Sequence, residues 1–435
     1  MPTEKINIFW FRRDLRTDDN HGFYEALKSD RKVLPVFIFD RDILDDLEDK
    51  DDARVTFLSD KINELHEQFE KHNSGLLTFY TTPEKAFKEL LNEYHIEAVY
   101  TNRDYEPYAK ERDNKIEKLL KKEDIDFHTF KDQVIFEKYD ILTKTDSYYK
   151  VFTPYSRTWL DKWEKEDIPH YWSENSLSNL YETKVRKPHQ LSDMGFTRTE
   201  IDIPSDNINE SVIETYDETR DIPALEHGTS RLGVHLRFGT ISIRKLAKKA
   251  AELNKTFLNE LIWREFYMMI LFFNPKVVNN NFKPKYDAVR WQNDEEKFKK
   301  WCEGKTGYPL VDAGMRQLNK TGYMHNRVRM VVASFLCKHL LIDWRWGEAY
   351  FAKKLLDYEL SSNNGGWQWA AGTGTDAQPY FRIFNPTSQL KKFDPDLKYV
   401  NKWVPEIKNG NYPSPIVEHK SARERAIKTY EEAVK

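Results

Sequence analysis

The sequence contains few cysteines and no recognisable export signal. Among its 435 residues, only Cys302 and Cys337 are cysteine. Two thiols are too few for a disulfide framework or a cysteine metal cluster. The N-terminus "MPTEKINIFWFRRD" also lacks the succession of basic, apolar and small residues that marks a signal peptide. We therefore expect a cytoplasmic protein in a reducing compartment, without a bound metal ion.

Long apolar runs and a glycine-rich nucleotide fingerprint are absent as well. The longest apolar run, at 268–273, is far shorter than the roughly 20 residues that a membrane-spanning helix needs. No G-x-G-x-x-G motif follows the first apolar segment, although classical NAD(P) sites carry one there. These absences disfavour a membrane protein and a classical nicotinamide-dependent oxidoreductase.

Charge and tryptophan are concentrated in different parts of the chain. Residues 1–220 contain 33 basic and 48 acidic side chains, whereas residues 221–435 contain 35 and 23. The formal net charge of -3 therefore conceals a basic C-terminal half, which also holds eight of the 12 tryptophans. A basic half indicates a polyanionic partner. The alternative is a scattered, solvated surface charge.

Apolar and charged segments alternate in the first third of the chain. Such alternation predicts βαβ units and a parallel sheet. The charged helical segments are 52–73, 83–94 and 108–122, and the apolar, strand-like segments are 6–11, 34–39, 76–80, 98–100 and 127–130.

The periodicity weakens after residue 133 and becomes helical from about residue 207. Between these two positions, residues 148–159 ("YYKVFTPYSRTW") are interpreted as an aromatic-rich loop. We predict an α/β domain of the antenna type over residues 1–133, a connector over 134–206, and an all-helical domain over 207–435. The predicted fold class is thus a parallel-sheet α/β domain followed by an all-α domain.

The stretch 356–386, "LDYELSSNNGGWQWAAGTGTDAQPYFRIFNP", has an unusual composition. Gly365 and Gly366 allow a sharp turn or the close approach of another group. Neighbouring asparagines supply amides that donate and accept hydrogen bonds, while Trp367 and Trp369 supply flat π faces. Together these groups suit a planar heteroaromatic ligand. The alternative is a glycine-rich turn between two helices with buried tryptophans.

Charged residues also lie on apolar helical faces. Glu260, Trp263 and Tyr267 share one face by their spacing, with Arg264 beside them. A carboxylate, an indole and a guanidinium on one stripe are unusual for a core face.

A second helical stripe contains Asn326 and Met330 together with two arginines. Arg327 and Arg329 need anionic partners if they are buried. We expect those partners to be Asp357 and Glu359.

Thr229, Ser230 and Arg231 precede another apolar-periodic segment. A helix start with hydroxyls and an arginine is suited to an anion such as a cofactor phosphate. The alternative is an ordinary helix N-cap.

Taken together, several blocks resemble the photolyase/cryptochrome flavoproteins. The blocks are "FWFRRDLRTDDN", "WREFY", "KTGYPLVDAGMRQL", "GYMHNRVRM" and "NNGGWQWAAGTGTDAQPYFRIFNP". Their order and spacing are most similar to class I cyclobutane pyrimidine dimer (CPD) photolyases, and the match extends along essentially the whole chain. The resemblance implies light-driven repair of pyrimidine dimers in DNA by electron transfer from reduced FAD to a flipped-out dimer.

The resemblance also implies residues that hold FAD in the helical domain. Asn363 would face the flavin N5, and Arg329 would pair with Asp357 beside the ring, with Glu359 nearby. The phosphates would be received by Tyr216, Thr229, Ser230, Arg231, Leu232 and Gly233.

Three further groups of residues match functional positions of the family. An electron-transfer chain from flavin to surface would comprise Trp367, Trp344 and Trp291. The dimer pocket would comprise Glu260, Trp263, Asn326, Arg327, Met330 and Trp369. Contacts with DNA would come from Arg220, Arg264, Arg382 and Gln389.

The implied partner is DNA containing pyrimidine dimers, and we expect a monomer. A second antenna chromophore in the N-terminal domain is also expected, of unknown identity. The stretch "YEPYAKERD" has Tyr108 and Ala109 where a folate antenna would use an amide and a carboxylate, which disfavours folate.

Three alternative functions were weighed against CPD repair. A cryptochrome usually carries a long C-terminal extension, whereas this chain stops soon after "VEHKSARERA". A (6-4) photolyase works through histidines, whereas this pocket offers Asn326 and Met330. A flavin enzyme that uses NAD(P)H would be expected to carry a dinucleotide fingerprint.

Overall fold

The computed structural model describes residues 4–435. Contacts divide the chain into two compact units. The first comprises residues 4–137, 161–207 and 232–249, and the second comprises 138–160, 208–231 and 250–435. The stretch expected to be a connector, 134–206, is therefore shared between the two units. No helix in the described part of the chain is long and apolar enough to span a membrane.

The first unit contains a five-stranded parallel sheet of order β3-β2-β1-β4-β5. All eight residues of the second strand are buried, as expected where helices cover both faces of a parallel sheet. The predicted α/β architecture is confirmed, with each strand shifted or extended by a few residues. The strands are β1 (Lys5–Phe11), β2 (Val33–Asp40), β3 (Leu77–Thr81), β4 (His95–Asn102) and β5 (Asp126–Phe130).

Helices account for most of the remaining regular structure, and the predicted all-helical character of the C-terminal part is confirmed. In the first part of the chain they are α1 (His21–Lys28), α2 (Arg41–Leu44), α3 (Ala53–Glu70), α4 (Pro83–Glu93) and α5 (Pro107–Lys122). The later helices are α6 (Phe152–Trp163), α7 (Glu210–Glu214), α8 (Tyr216–Thr219), α9 (Gly233–Phe238), α10 (Ile243–Leu253), α11 (Lys255–Phe273), α12 (Glu295–Cys302), α13 (Pro309–Thr321), α14 (Asn326–Ser334), α15 (Trp344–Lys354), α16 (Leu360–Ala371), α17 (Pro386–Phe393), α18 (Lys398–Trp403) and α19 (His419–Val434).

Buried ion pairs explain why residues 232–249 belong to the first unit. Arg244 binds Asp19 at 3.1 Å and Asp132 at 2.9 Å, and both carboxylates are buried. Arg16 binds Asp132 at 2.8 Å. Burial alone would raise the pKa of Asp132, but the two guanidinium groups hold it below its usual value. Because a buried charge is costly without a partner, this network ties the returning segment to the loop after β1.

The aromatic-rich stretch 148–159 is not the loop that the sequence predicted, because α6 begins at Phe152. Tyr155 and Trp159 are buried on this helix. The Trp159 indole N–H donates to the Glu265 carboxylate at 2.6 Å, and the Tyr155 hydroxyl lies 3.4 Å from the same oxygen. Tertiary contacts with α11 therefore stabilise a helix that local composition does not favour.

The Gly365–Gly366 pair is inside α16 and does not form the turn that the alternative reading expected. A Cβ atom at Gly365 would lie 2.2 Å from the Tyr267 ring of α11. Glycine is therefore required there by the close packing of two helices. At Gly366, by contrast, a Cβ atom would meet no atom of the described residues within 4 Å.

Candidate active site

Helices α11, α14 and α16 of the second unit contribute side chains to one cavity of about 390 Å³. This volume is within the range of about 300–1,000 Å³ that is usual for small-molecule sites. Twelve residues singled out from the sequence line it: Arg220, Glu260, Trp263, Arg264, Asn326, Arg329, Met330, Asp357, Glu359, Asn363, Trp367 and Trp369.

Glu260 is the carboxylate on the α11 wall of the cavity. Its Oε1 is 2.7 Å from Nη1 of Arg220. Burial raises the pKa of the Glu260 carboxyl, and the ion pair with Arg220 opposes that shift. The group is therefore easier to protonate than an exposed glutamate, while Arg220 fixes its orientation.

The arginines of α14 have different partners. Arg329 pairs with Asp357 at 2.9 Å, as expected from the sequence. Arg327, however, binds Asp221 at 2.7 Å rather than Asp357 or Glu359. Its guanidinium also lies 4.5 Å from the Phe393 ring centre, and it does not line the cavity.

Glu359 is buried and lies against Arg264, with 3.3 Å between Oε2 and Nε. The Arg264 side chain is only 11% exposed. This pair lies in the cavity wall. Contact of Arg264 with DNA stays a prediction, and in the described structure its guanidinium already has an anionic partner.

Asn363 has a fixed amide orientation at the cavity wall. Its Nδ2 donates to the Glu348 side chain at 3.0 Å and to the Glu348 carbonyl at 3.1 Å. Burial raises the pKa of the Glu348 carboxyl, which the hydrogen bond from Asn363 opposes. Glu348 could not be predicted from the sequence, because nothing in its local pattern connects α15 with an asparagine on α16.

The predicted phosphate-binding segment is close to Tyr323. The Thr229 hydroxyl lies 3.0 Å from the Tyr323 hydroxyl, and the Arg231 guanidinium stacks 4.8 Å from the Tyr323 ring centre. Arg329 lies 5.7 Å from the same ring. Tyr323 thus connects this segment with a residue that lines the cavity.

The helix expected at this segment begins only at Gly233, and Leu232 at its N-cap position makes no side-chain capping bond. The ordinary N-cap interpretation is therefore wrong. Arg231 has a φ of 53°, in the left-handed region. Its buried Nε has no hydrogen-bond partner among the described residues. A strained arginine with an unsatisfied donor is suited to an anionic ligand.

These features fit a bound FAD. The cavity offers an ion pair, an oriented amide at Asn363 and an open wall at Gly366 for a planar ring. Thr229 and Arg231 offer donors for phosphate, with Arg231 unsatisfied at Nε. FAD requires a site of both kinds, apolar and planar at one end and cationic at the other.

The three tryptophans of the expected electron-transfer chain are at different depths. Trp367 lines the cavity and is 2% exposed, and Trp344 is fully buried. The Trp344 indole donates to Oδ1 of Asn281 at 2.9 Å. Trp291 is partly exposed and packs against the same hydrophobic core. Trp367 alone of the three lines the cavity and Trp291 is the most exposed, and the electron-transfer chain stays a prediction.

The remaining predicted residues lie outside the cavity lining. Tyr216 packs edge-on against Phe257 at 5.1 Å and stacks with Arg220 at 5.2 Å. Arg382 is exposed, and Gln389 is partly buried on α17. Ser230 is partly buried, whereas Leu232 and Gly233 belong to the first unit. Their predicted roles are not tested by these positions.

Seven lining residues are not among the catalytic or binding residues predicted from the sequence. Tyr267 lies on the Glu260 stripe but was not assigned a role. Ala333, Phe351, Leu355, Tyr358, Ser362 and Gly366 also line the cavity. Most are ordinary helix-face residues, and no local signal distinguishes them from core positions.

Two family models match this chain. Residues 257–411 match the FAD binding domain of DNA photolyase, and residues 7–172 match DNA photolyase. A parallel α/β unit and a helical FAD-binding domain with the cavity described above define a photolyase-type flavoprotein.

Full-length relatives extend this assignment. The deoxyribodipyrimidine photo-lyase of Halobacterium salinarum is 36% identical over 98% of this chain and 99% of its own length. A bacterial class III photolyase from Agrobacterium tumefaciens has 33% identity and a TM-score of 0.86, covering 100% of this chain and 98% of its own. An archaeal photolyase from Sulfolobus tokodaii, described with two FAD molecules, has 34% identity and a TM-score of 0.79, covering 98% and 99%. The chain belongs to the DNA photolyase family.

Proposed function

We propose that this protein is a deoxyribodipyrimidine photo-lyase that uses blue light to split cyclobutane pyrimidine dimers in DNA. The observation that carries the proposal is the single cavity that brings together two sets of residues. One set, Asn363 with the Arg329–Asp357 pair, suits the flavin. The other set suits a dimer and comprises Glu260, Trp263, Asn326, Met330 and Trp369.

When bound, reduced FAD would supply a light-excited electron to the dimer; the cyclobutane ring would split and the electron would return to the flavin, so that no net oxidation or reduction takes place. Trp263 and Trp369 offer flat faces on which the two pyrimidines stack. A proton on Glu260 would allow its carboxyl to donate a hydrogen bond to a carbonyl oxygen of the dimer and to stabilise negative charge there. Flipping costs about a few kcal/mol, less for a poorly stacked lesion, as is general for photolyases and other base-flipping enzymes.

Repair in light but not in darkness tests this function. Purified holoprotein is mixed with oligonucleotides containing either a CPD or a (6-4) lesion, and each mixture is illuminated or kept dark. We expect light-dependent repair of the CPD alone. Repair of only the (6-4) lesion would replace the proposed substrate. Binding of FAD with no repair of either lesion would favour a cryptochrome-type signalling protein.

Within the family we propose the class I type. The order and spacing of the sequence blocks support it, whereas a class III photolyase from Agrobacterium tumefaciens shares the fold at a TM-score of 0.86. Fold similarity is thus common to both classes. The proposal therefore rests on the sequence blocks.

We also propose a second chromophore site in the first unit, at the carboxyl ends of the strands, where open parallel sheets usually bind ligands. A cavity of about 160 Å³ there is lined by residues that include Thr82, Tyr108 and Arg112. The Tyr108 hydroxyl donates to Asp40 at 2.6 Å across this edge. The absorption spectrum of the purified protein checks the proposal, since an antenna adds a near-UV or blue band to the flavin bands.

Replacing Glu260 by alanine is expected to keep FAD but reduce the repair rate about tenfold, because one hydrogen bond to a charged group is lost. Glu260→Gln keeps an N–H donor and should retain more activity. Both variants are compared with the wild type as fully reduced enzyme under identical illumination. Equal repair rates for Glu260→Ala and the wild type would remove this carboxyl from the mechanism.

Replacing Trp263 by alanine is expected to weaken binding to CPD-containing DNA by about 1–3 kcal/mol, as for the loss of one base-stacking aromatic. Binding to undamaged DNA should change little, since its bases stay stacked in the duplex. Dissociation constants are measured at one fixed salt concentration, with FAD occupancy checked by absorbance. An unchanged constant for damaged DNA in a variant with full FAD would contradict the pocket assignment.

A further inference from the structure

One wall residue of the proposed dimer pocket is supported from behind by a segment outside the cavity. The Phe152 ring stacks on the Trp263 indole, with 3.7 Å between ring centres and 7° between planes. Trp263 lines the cavity, whereas Phe152 does not. One indole face is therefore covered by Phe152, while the same residue also borders the cavity.

The position of Phe152 is fixed by contacts of its own backbone and of the residues just before it. Its backbone N–H donates to Oδ2 of Asp376 at 3.2 Å. The Thr375 hydroxyl donates to the Lys150 carbonyl at 2.6 Å. The loop that follows α16 therefore holds the start of α6 in place.

A second anchor fixes α6 to the helix that carries Trp263. Trp159 donates its indole N–H to Glu265 at 2.6 Å, and Glu265 lies two residues after Trp263 on α11. Trp159 and Glu265 are both buried. With anchors at two points, the Phe152 ring has little freedom to leave the indole face.

We propose that Phe152 is a positioning residue for the pyrimidine dimer. By covering one face of Trp263, it fixes the plane of the indole and leaves a single oriented face for a flipped pyrimidine. The inference rests on the proposed function, since it concerns binding of the dimer to that same cavity. It assigns a role in dimer binding to a residue of the stretch 148–159, whereas the other residues of the proposed dimer pocket are on α11, α14 and α16.

The physical basis is the geometry of aromatic stacking. The two rings are nearly parallel at 3.7 Å, so a rotation of the indole out of this plane would bring its atoms into steric contact with the phenyl ring. An indole held by such a pair pays less entropy when a base stacks on its other face, because its rotamer is already restricted. Without the phenyl ring, Trp263 would have to be ordered by the substrate itself.

The test is a double-mutant cycle on dimer binding by the FAD-loaded protein. Phe152→Leu, Trp263→Ala and the double variant are measured against CPD-containing and undamaged oligonucleotides at one salt concentration. We expect Phe152→Leu to weaken dimer binding about two- to tenfold, with undamaged DNA unaffected and the repair rate at saturating substrate retained. In the Trp263→Ala background, Phe152→Leu should have no further effect.

Two variants separate positioning from general structural damage. Phe152→Tyr keeps the stacked ring and should restore wild-type affinity. Tyr148→Leu is the matched control, because Tyr148 belongs to the same stretch but stacks on Phe273 at 4.9 Å, with 9° between the planes. It should leave dimer affinity unchanged. If Phe152→Leu does not fold with FAD, Asp376→Ala, which removes the acceptor of the Phe152 backbone N–H, should give the same selective loss.

The outcomes that overturn the inference are distinct from failure of the proposed function. Equal losses from Phe152→Leu with and without Trp263 would show that the two rings act independently. Loss of affinity for undamaged DNA, or a Tyr148→Leu variant as weak as Phe152→Leu, would also overturn it. A wild-type protein with no preference for the dimer would overturn the proposed function itself, and the positioning role with it.

Discussion

Replacing Trp367 by phenylalanine is expected to abolish most of the light-driven reduction of oxidised FAD while leaving repair by chemically reduced enzyme intact. If Trp367, Trp344 and Trp291 pass electrons towards the flavin, Trp367 is the first donor, because it lines the cavity. Phenylalanine is much harder to oxidise than tryptophan, so the chain would be interrupted at its first step. The measurement is bleaching of the flavin band under blue light with an external electron donor.

The structure makes phenylalanine the right replacement at this position. Trp367 packs edge-on against Phe351 at 5.0 Å and Trp301 at 6.1 Å, within the main hydrophobic core. Truncation to alanine there would cost about 3–5 kcal/mol and leave a cavity. Loss of photoreduction in such a variant would not distinguish a damaged fold from an interrupted chain. Phenylalanine keeps an aromatic ring in the same core site.

Trp172→Phe is the control for this experiment, because Trp172 is 57% exposed and belongs to the first unit. It should bleach at the wild-type rate. Normal bleaching of Trp367→Phe with an intact fold would eliminate the electron-transfer chain. Loss of repair by its chemically reduced form would instead show that Trp367 acts on the dimer as well.

The sequence predicted the first unit well because its signal is local. Each strand is a short apolar run bounded by charged helical segments, and strand β2 is buried along its whole length. The helix at Phe152–Trp163 could not be predicted in the same way. Its stability depends on Tyr155 and Trp159 meeting Glu265, more than 100 positions later in the chain. Periodicity within a short window cannot reveal such a partner.

The candidate site shows the same division between local and distant information. Twelve proposed residues line one cavity, and nine of them are on α11, α14 and α16, in blocks that resemble a known family. The predicted partners of Arg327 were wrong. The arginine binds Asp221, and nothing in the local sequence distinguishes this aspartate from other loop residues. Glu348 was missed for a similar reason, because its contact with Asn363 joins two helices. Pairings between elements depend on the packed fold.

A buried lysine beneath the C-terminal end of α16 gives the second large expected effect. The Lys338 side chain is fully buried, and its Nζ donates to the Ala371 carbonyl at 2.6 Å. The same nitrogen lies 3.6 Å from the ring centre of Tyr430. Burial lowers the pKa of Lys338 from its usual 10.5 to about 7. The neutral amine still has N–H donors, so the bond to Ala371 survives loss of the proton.

The stability of the wild type relative to Lys338→Met is expected to rise between about pH 7 and pH 10, by up to about 5 kcal/mol. In this window the unfolded chain keeps the lysine proton that the folded protein has released, so raising the pH favours the folded state. Below about pH 7 both states carry the proton, and the difference should be constant. In the folded protein, burial raises the pKa values of Cys337 and Tyr430 well above this window. In the unfolded chain both groups titrate in or near it, but they are present in both proteins, so their contribution cancels from the difference.

Urea unfolding of both proteins at about pH 6, 7, 8, 9 and 10 measures this difference at each pH. Lys299→Met, at an exposed position on α12, is the matched control and should follow the wild type throughout. Parallel stability curves for the wild type and Lys338→Met would show that the buried amine titrates at its ordinary pH. A difference that shrinks as the pH rises would mean that the ammonium form stabilises the fold, through Ala371 and Tyr430, by more than its burial costs.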